Sequence, residues 1–218
     1  MNNVPRKIVL LGAGGHAAVL FDILQQNGET VHCITAREVP IARPFFRHTE
    51  VINDDEFLTR FHPDDVLIVN GIGMLPYSSQ REQLYRHYSA LGYSFKNIIS
   101  KQAIVSPLAT LGTGAQILPG AIVQAGADIG ENSIINSRAV IEHDSVIGRH
   151  NHIAPGAILC GAVITGNSAF IGAGAIVIPN MTVGESAVIG AGAVIKKDIA
   201  SHSVVCSERP HFSHYSGL

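Results

Sequence analysis

From Val105 to Ile195 one rule holds without an insertion: every sixth residue is aliphatic. The series runs Val105, Leu111, Ile117, Val123, Ile129, Ile135, Ile141, Ile147, Ile153, Leu159, then Thr165 as the one exception, then Ile171, Val177, Val183, Ile189 and Ile195. Four positions after most of these stands a small residue, as at Ala109, Ala121, Ser133, Ala139, Ala157, Ala175 and Ala193, and glycine often follows the aliphatic position directly. A period this short and this regular fits a triangular coil of three flat sides and three corners. The aliphatic residue points inward and stacks on its equivalent one coil above. The small residue sits where two sides crowd together, and glycine eases the chain round the corner. Three hexapeptides make one coil, so residues 18 apart are expected to be stacked neighbours in a left-handed parallel β-helix.

The first half follows another grammar. Lys7–Leu11 is an apolar β run, followed by the glycine-rich turn Gly12-Ala13-Gly14-Gly15-His16-Ala17 and an amphipathic stretch over Ala18–Asn27. Thr30–Thr35 and Val66–Asn70 fit further strands, Ser79–Leu91 a helix, and Tyr93–Ile98 a last extended piece. This β-α-β order predicts a small Rossmann-like α/β domain over residues 1–100, with the β-helix and a tail over 101–218. Gly12, Gly14 and Ala17 match a phosphate-facing turn, in which backbone N–H groups and a helix N-terminus meet an anion. The acid that would hold a dinucleotide ribose is not in place, since the second strand ends Thr35-Ala36-Arg37. A nucleotide-linked substrate therefore fits better than NAD, and a purely structural turn is the plain alternative.

Of the 218 residues, 46% are hydrophobic and only 15% charged, a balance that favours surface hidden between subunits, and the net charge of −2 without a basic run argues against nucleic acid or an anionic membrane as partner. Cys33, Cys160 and Cys206 form no CxxC pair and fit a reduced, cytoplasmic setting. The short apolar run after Arg6-Lys7 is interrupted by glycines, so it reads as a strand rather than a leader or a membrane span.

His143 is the third residue of its hexapeptide and so lies off the inward row. Its expected coil neighbours, Ala125 and Gly161, are small and leave room beside the ring. Asp144 follows and could orient the imidazole or raise its basicity. A solvated surface histidine is the alternative. His150 and His152 add a second possibility, zinc held by imidazoles across a subunit boundary, as in a carbonic anhydrase of this fold, although no Cys or H-x-E pattern supports it.

A GAGGHA domain followed by an unbroken hexapeptide helix resembles the bacterial sugar acetyltransferases: the UDP-4-amino-sugar N-acetyltransferases of bacillosamine biosynthesis, the GDP-perosamine N-acetyltransferases and the sialic acid O-acetyltransferase family. The stretch Asn136-Ser137-Arg138-Ala139-Val140-Ile141-Glu142-His143-Asp144 and His152-Ile153-Ala154-Pro155-Gly156-Ala157 carry the resemblance most clearly. The resemblance implies His143 as general base with Asp144 in support. It implies acetyl-CoA contacts at His152, Ala173 and Ala191, and sugar-nucleotide contacts at Gly14, Gly15, His16, Gly73 and Asn136. It further implies a homotrimer acting on a UDP-linked 4-amino-4,6-dideoxy sugar, by direct transfer and without a metal. O-acetylation of a sialic-type sugar is the alternative within the class, and a zinc protein or a non-catalytic scaffold lies outside it. The chain departs from the family in two places. Ala36 and Arg37 stand where two acids usually end the second strand, and Ser207-Glu208-Arg209-Pro210-His211 replaces the usual Gly-x-Pro-Ala-Lys tail.

Overall fold

The computed structural model describes residues 5–39 and 43–206. The atypical tail, with His211 and His214, lies outside the described residues. The chain opens with a five-stranded parallel sheet in the order β3-β2-β1-β4-β5, built from β1 (Lys7–Leu11), β2 (Val31–Thr35), β3 (Glu50–Ile52), β4 (Val66–Asn70) and β5 (Ser94–Phe95). Strand alternation sends Ile8 and Leu10 to one face and Val9 and Leu11 to the other, and both sets are buried. That is why β1 reads as an unbroken apolar run rather than an alternating one. Helix α1 (Gly15–Gln26) covers the first face through Leu20, Phe21 and Leu24, while α2 (Asp54–Arg60) and α3 (Gln80–Ala90) cover the second through Phe57, Tyr85 and Tyr88.

The sequence placed the start of the first helix at Ala18, three residues late. The Gly14 carbonyl already accepts the Ala18 N–H at 3.1 Å, so the first turn is formed by the glycine motif itself. Strand β3 and helix α2 were not anticipated. The missed signal was local: Asn53 caps α2, its Oδ1 accepting the Glu56 N–H at 2.9 Å, with Asp54, Asp55 and Glu56 all in the first turn.

The second half is a left-handed parallel β-helix whose two-residue strands stack into three faces of seven, six and five strands. Partners are 18 residues apart, as in Val140 with Ile158 and Ile141 with Leu159. From Ile117 to Ile195 the every-sixth row lines a continuous core. The regular grammar extends beyond the stretch readable from sequence. Ile98–Ile99 already pairs with Gln116–Ile117, and Val204–Val205 closes the seven-stranded face against Val188–Ile189. Thr165 breaks the aliphatic row for a reason visible inside the coil. Its Oγ1 accepts from Asn151 Nδ2 at 2.9 Å and from the Gly148 N–H at 3.1 Å, so an interior hydroxyl at this position gives two donors an acceptor.

The two halves are fused through the seven-stranded face. Its outward residues Leu118 and Ile134 join the α1-side core of the sheet. Arg81 of α3 fastens the junction. It is buried, its Nε donates to Asn132 O of the β-helix at 3.1 Å, and its Nη1 donates to Asn70 O at 2.9 Å and Ile72 O at 2.6 Å. Burial without a carboxylate partner lowers its pKa to about 9, so it stays charged at neutral pH.

Candidate active site

The glycine turn is held open by backbone geometry. Gly12 has φ +84°, a conformation that disfavours any side chain, and donates to Thr35 O at 2.7 Å. Gly14 caps α1 without a side-chain hydrogen bond, α1 has no acid in its first turn, and a Cβ on Gly14 would find nothing within 4 Å. The result is a helix N-terminus facing open space, an electrostatic seat for an anion.

One cleft of about 490 Å³ gathers Gly14, Gly15, His16, Gly73, Asn136 and His152, with Met74 and Leu118 among its walls. Five of these are the residues expected at the sugar nucleotide. His152, expected with the cofactor set, joins them on the same cleft. The hydrogen bonds fix both imidazoles. Gln116 Nε2 donates to Asn70 O at 2.9 Å, so its Oε1 must accept from His16 Nε2–H at 2.7 Å, leaving the lone pair on Nδ1. His152 Nδ1–H donates to Met74 O at 2.9 Å, and its Nε2 accepts from Asn136 Nδ2 at 2.9 Å. Asn136 is itself oriented by the Ser137 N–H, which donates to its Oδ1 at 2.7 Å. Burial, aided by the charge of Arg81, pushes His16 down to about 3, against the opposing bond to Gln116. Burial likewise lowers His152 to about 4, against the opposing bond to Met74 O and with a smaller contribution from Arg81. Both rings are therefore neutral at physiological pH.

His143 and Asp144 lie elsewhere, on the corner between the six- and five-stranded faces, and are exposed. His143 Nδ1 stands 2.8 Å from Asp144 Oδ2. A carboxylate only accepts, so Nδ1 carries a proton, and in the neutral ring Nε2 keeps the lone pair. The reading that Gly161 leaves vacant room needs correction. A Cβ at Gly161 would come within 2.6 Å of His143 Nε2, so the imidazole itself lies over that glycine. The small residue makes room for the ring rather than for a substrate beside it. Ala173 and Ala191 sit on a third setting, the corner between the seven- and six-stranded faces, where Gly192 N–H donates to Ala173 O at 2.8 Å. Beside them Gly156, Gly174 and Gly192 form a column along the axis, and a Cβ on any of the three would meet nothing within 4 Å. This open strip can accept a long, narrow ligand lying along the coils.

Residues 126–161 match the family model "Bacterial transferase hexapeptide (six repeats)", and residues 7–88 match the "PglD N-terminal domain". No curated protein matches the chain. Among solved structures, PerB from Caulobacter crescentus in complex with CoA and GDP-perosamine is 33% identical, with TM-score 0.82 over 94% of this chain and 95% of that one. The acetyltransferase domain of PglB from Neisseria gonorrhoeae FA1090 in complex with acetyl coenzyme A is 29% identical, with TM-score 0.84 over 94% and 97%. The chain belongs to the bacterial sugar N-acetyltransferases. WeeI from Acinetobacter baumannii AYE, 21% identical with TM-score 0.81 over 93% and 97%, shares the fold.

Two residues of this N-acetyltransferase escaped the sequence reading. Arg43 brings its Nη2 to 3.5 Å from where a Gly15 Cβ would stand, and its buried Nε has no hydrogen-bond partner among the described residues. It sets a cation beside the anion seat of α1. Asp54 lines a second cleft of about 450 Å³ across the glycine turn, together with Ala36, Arg37 and Tyr88, and its Oδ1 accepts from Tyr88 O–H at 3.2 Å. It supplies a carboxylate close to where Ala36 and Arg37 replace the usual acids. Neither residue carries a motif, because Arg43 reaches the site from a loop and Asp54 from the first turn of α2, both far along the chain from the glycines. Among the described residues no cluster of three or more His, Cys, Asp or Glu side chains could hold a metal. The three histidines of the zinc alternative are dispersed within one chain: His143 on one corner, His150 on another beneath Tyr85, and His152 in the cleft.

Proposed function

We propose that the enzyme transfers the acetyl group of acetyl-CoA to the amine of a nucleotide-linked 4-amino-4,6-dideoxy sugar, with His143 as general base. The observation that carries this reading is the 2.8 Å pair of His143 Nδ1 and Asp144 Oδ2, which in the neutral ring puts the proton on Nδ1 and turns the Nε2 lone pair away from Asp144 on an exposed ring. In the reaction the amine nitrogen attacks the thioester carbonyl and His143 Nε2 takes its proton. The tetrahedral adduct collapses with loss of the CoA thiolate, which recovers that proton as the free thiol. Asp144 stabilises the intervening imidazolium, and backbone N–H groups of the corners stabilise the oxyanion. The residues present fit acetyl-CoA along the open strip beside Ala173 and Ala191. The diphosphate fits the α1 N-terminus with Gly14, Gly15 and Arg43, the sugar fits the cleft of His16, Gly73, Asn136 and His152, and the nucleoside fits the Asp54 cleft.

In a single chain, His143 and this cleft stand on different parts of the helix. A homotrimer supplies the missing proximity by presenting His143 of one subunit to the cleft of the next. The six-stranded face supports such an assembly. Its outward positions are Ile104, Ile122, Val140, Ile158, Ile176 and Val194, an apolar ladder in which Ile104 is 65% and Val194 51% exposed.

The bacillosamine-type resemblance favours UDP as the carrier. A GDP-linked 4-amino sugar is the second reading, favoured by the likeness to PerB with GDP-perosamine. The test is release of free thiol from acetyl-CoA across a panel of UDP-, GDP- and dTDP-linked 4-amino sugars. Saturable turnover of one of them is expected. Turnover of a hydroxyl sugar alone would move the enzyme to O-acetylation, and no thiol release from any acceptor would overturn the reading.

A further inference from the structure

A groove of about 410 Å³ borders the cleft at Met74 and at Phe170, whose ring packs on His152 with centroids 5.1 Å apart, and is otherwise lined by other residues. It follows the corner between the five- and seven-stranded faces, opposite the apolar six-stranded ladder, and is roofed by the loop from Met74 to Ser79. Its floor continues the column of corner residues Asn132, His150, Ser168, Ser186 and His202, all with φ between 54° and 59°. The lower members are tied to the α/β domain: Asn132 to Asn70, His150 packed on Tyr85, and Ser168 donating to Glu82 Oε2 at 2.9 Å. The upper members, Ser186 and His202, have no side-chain hydrogen bond among the described residues.

The proton on His150 can be placed by following the chain of amides. Asn70 Oδ1 accepts from the Ile72 N–H at 3.2 Å and its Nδ2 donates to Arg81 O at 3.2 Å, which fixes that amide. Asn70 Nδ2 also donates to Asn132 Oδ1 at 3.1 Å, so Asn132 Nδ2 must donate to His150 Nδ1 at 3.0 Å. The neutral ring then carries its hydrogen on Nε2. His150 is only 7% exposed, lines the groove, and its Nε2–H has no acceptor among the described residues. That N–H opens on the groove, where a ligand or water can meet it.

The remaining lining restricts what that ligand can be. Glu82 and Glu185 bring carboxylates, and Arg81, whose Nε and Nη1 donate to protein carbonyls, keeps a buried Nη2 without a partner among the described residues, so the lining presents acceptors and donors together. Ser186 offers a hydroxyl that both gives and accepts. Phe170, Val188 and Val204 form an apolar floor, and Tyr77 stands on the rim 81% exposed, held at φ +65°. Mixed donors and acceptors over an apolar floor with one aromatic wall match a pyranose, which has hydroxyls at its edge and C–H groups on its face. We propose that this groove is a second, non-catalytic site for a neutral saccharide, held by His150 Nε2–H, Ser186 and the two carboxylates, with Tyr77 stacked on the ring.

The test is saturation-transfer NMR on the intact protein with neutral mono- and disaccharides, with inorganic phosphate as the anion control. Binding of at least one saccharide is expected, weakened at least roughly tenfold, or about 1.4 kcal/mol, in Tyr77→Ala and in Glu185→Ala. Both residues are exposed, so both variants should fold. Binding should survive Gly14→Val, which separates this groove from the proposed nucleotide-sugar cleft. The proposal is overturned if no saccharide binds at millimolar concentration, if phosphate binds and saccharides do not, if binding is unchanged in both groove variants, or if Gly14→Val abolishes it.

Discussion

His143 and the cleft histidines His16 and His152 are the same residue type put to opposite physical uses. His143 stands in solvent with one nitrogen committed to Asp144 and the other uncommitted. His152 has both nitrogens committed, to Met74 O and Asn136, and His16 gives its one proton to Gln116. A base must exchange a proton with substrate at working pH, whereas a residue that shapes a cleft must hold one tautomer and stay neutral. Exposure beside a carboxylate suits the first task; burial beside a guanidinium suits the second.

The strongest way to break this contrast is His143→Ala. It should lower kcat by roughly 10²–10⁴, the range for losing a general base, with the fold and assembly intact, because the ring lies on an exposed corner outside the core. A near-normal kcat would make His143 a bystander. His152→Ala probes the other side. It frees Met74 O and Asn136 together, so sugar KM should rise and unfolding should become easier by about 1–3 kcal/mol. A rise confined to acetyl-CoA KM would instead place His152 with the cofactor.

Gly14→Val and Arg43→Ala test the anion seat between the two clefts. Each should raise the sugar-nucleotide KM by roughly tenfold, about 1.4 kcal/mol of lost binding, with acetyl-CoA KM little changed. An unchanged sugar KM in both would leave the glycine turn purely structural. Asp144→Asn should be milder than His143→Ala, since the amide can still orient the ring but no longer stabilises its cation.

A separate check sharpens the contrast through pH. His16 and His152 titrate near 3 and 4 in the folded protein but near 6.5 when unfolded. The unfolded chain therefore binds more protons as pH falls below about 6.5, and stability declines with it, by up to about 1.4 kcal/mol per pH unit for each histidine. Above that range their contribution is complete and flat. Thermal melts should show this acid loss, reduced in His16→Gln. In kinetics neither ring can produce a limb above pH 5, so a limb there that vanishes in His143→Ala identifies the base.

The β-helix was legible almost residue by residue, because every coil repeats the same packing problem and so the same side-chain solution. Even its exception was visible: Thr165 stood out, although only the coil interior shows that Asn151 answers it. The α/β half was legible where a long apolar run or a glycine turn marked it, at β1, β4 and the turn before α1, although the helix itself begins three residues earlier than the sequence suggested. It was opaque at β3 and α2, where the elements are short and their signals local.

The sequence by itself determined the stacking period, the inward row, the off-row position of His143 and the glycine seat at α1, because each follows from neighbours in sequence or from an exact repeat. Only the tertiary structure decided that His143 leans over Gly161, that Arg43 reaches Gly15, and that His16, Asn136 and His152 share one wall. Those relations depend on how the α/β domain docks on the seven-stranded face. That docking is set by a buried arginine and a few amide bonds between residues dozens of positions apart, which leave no periodic trace along the chain.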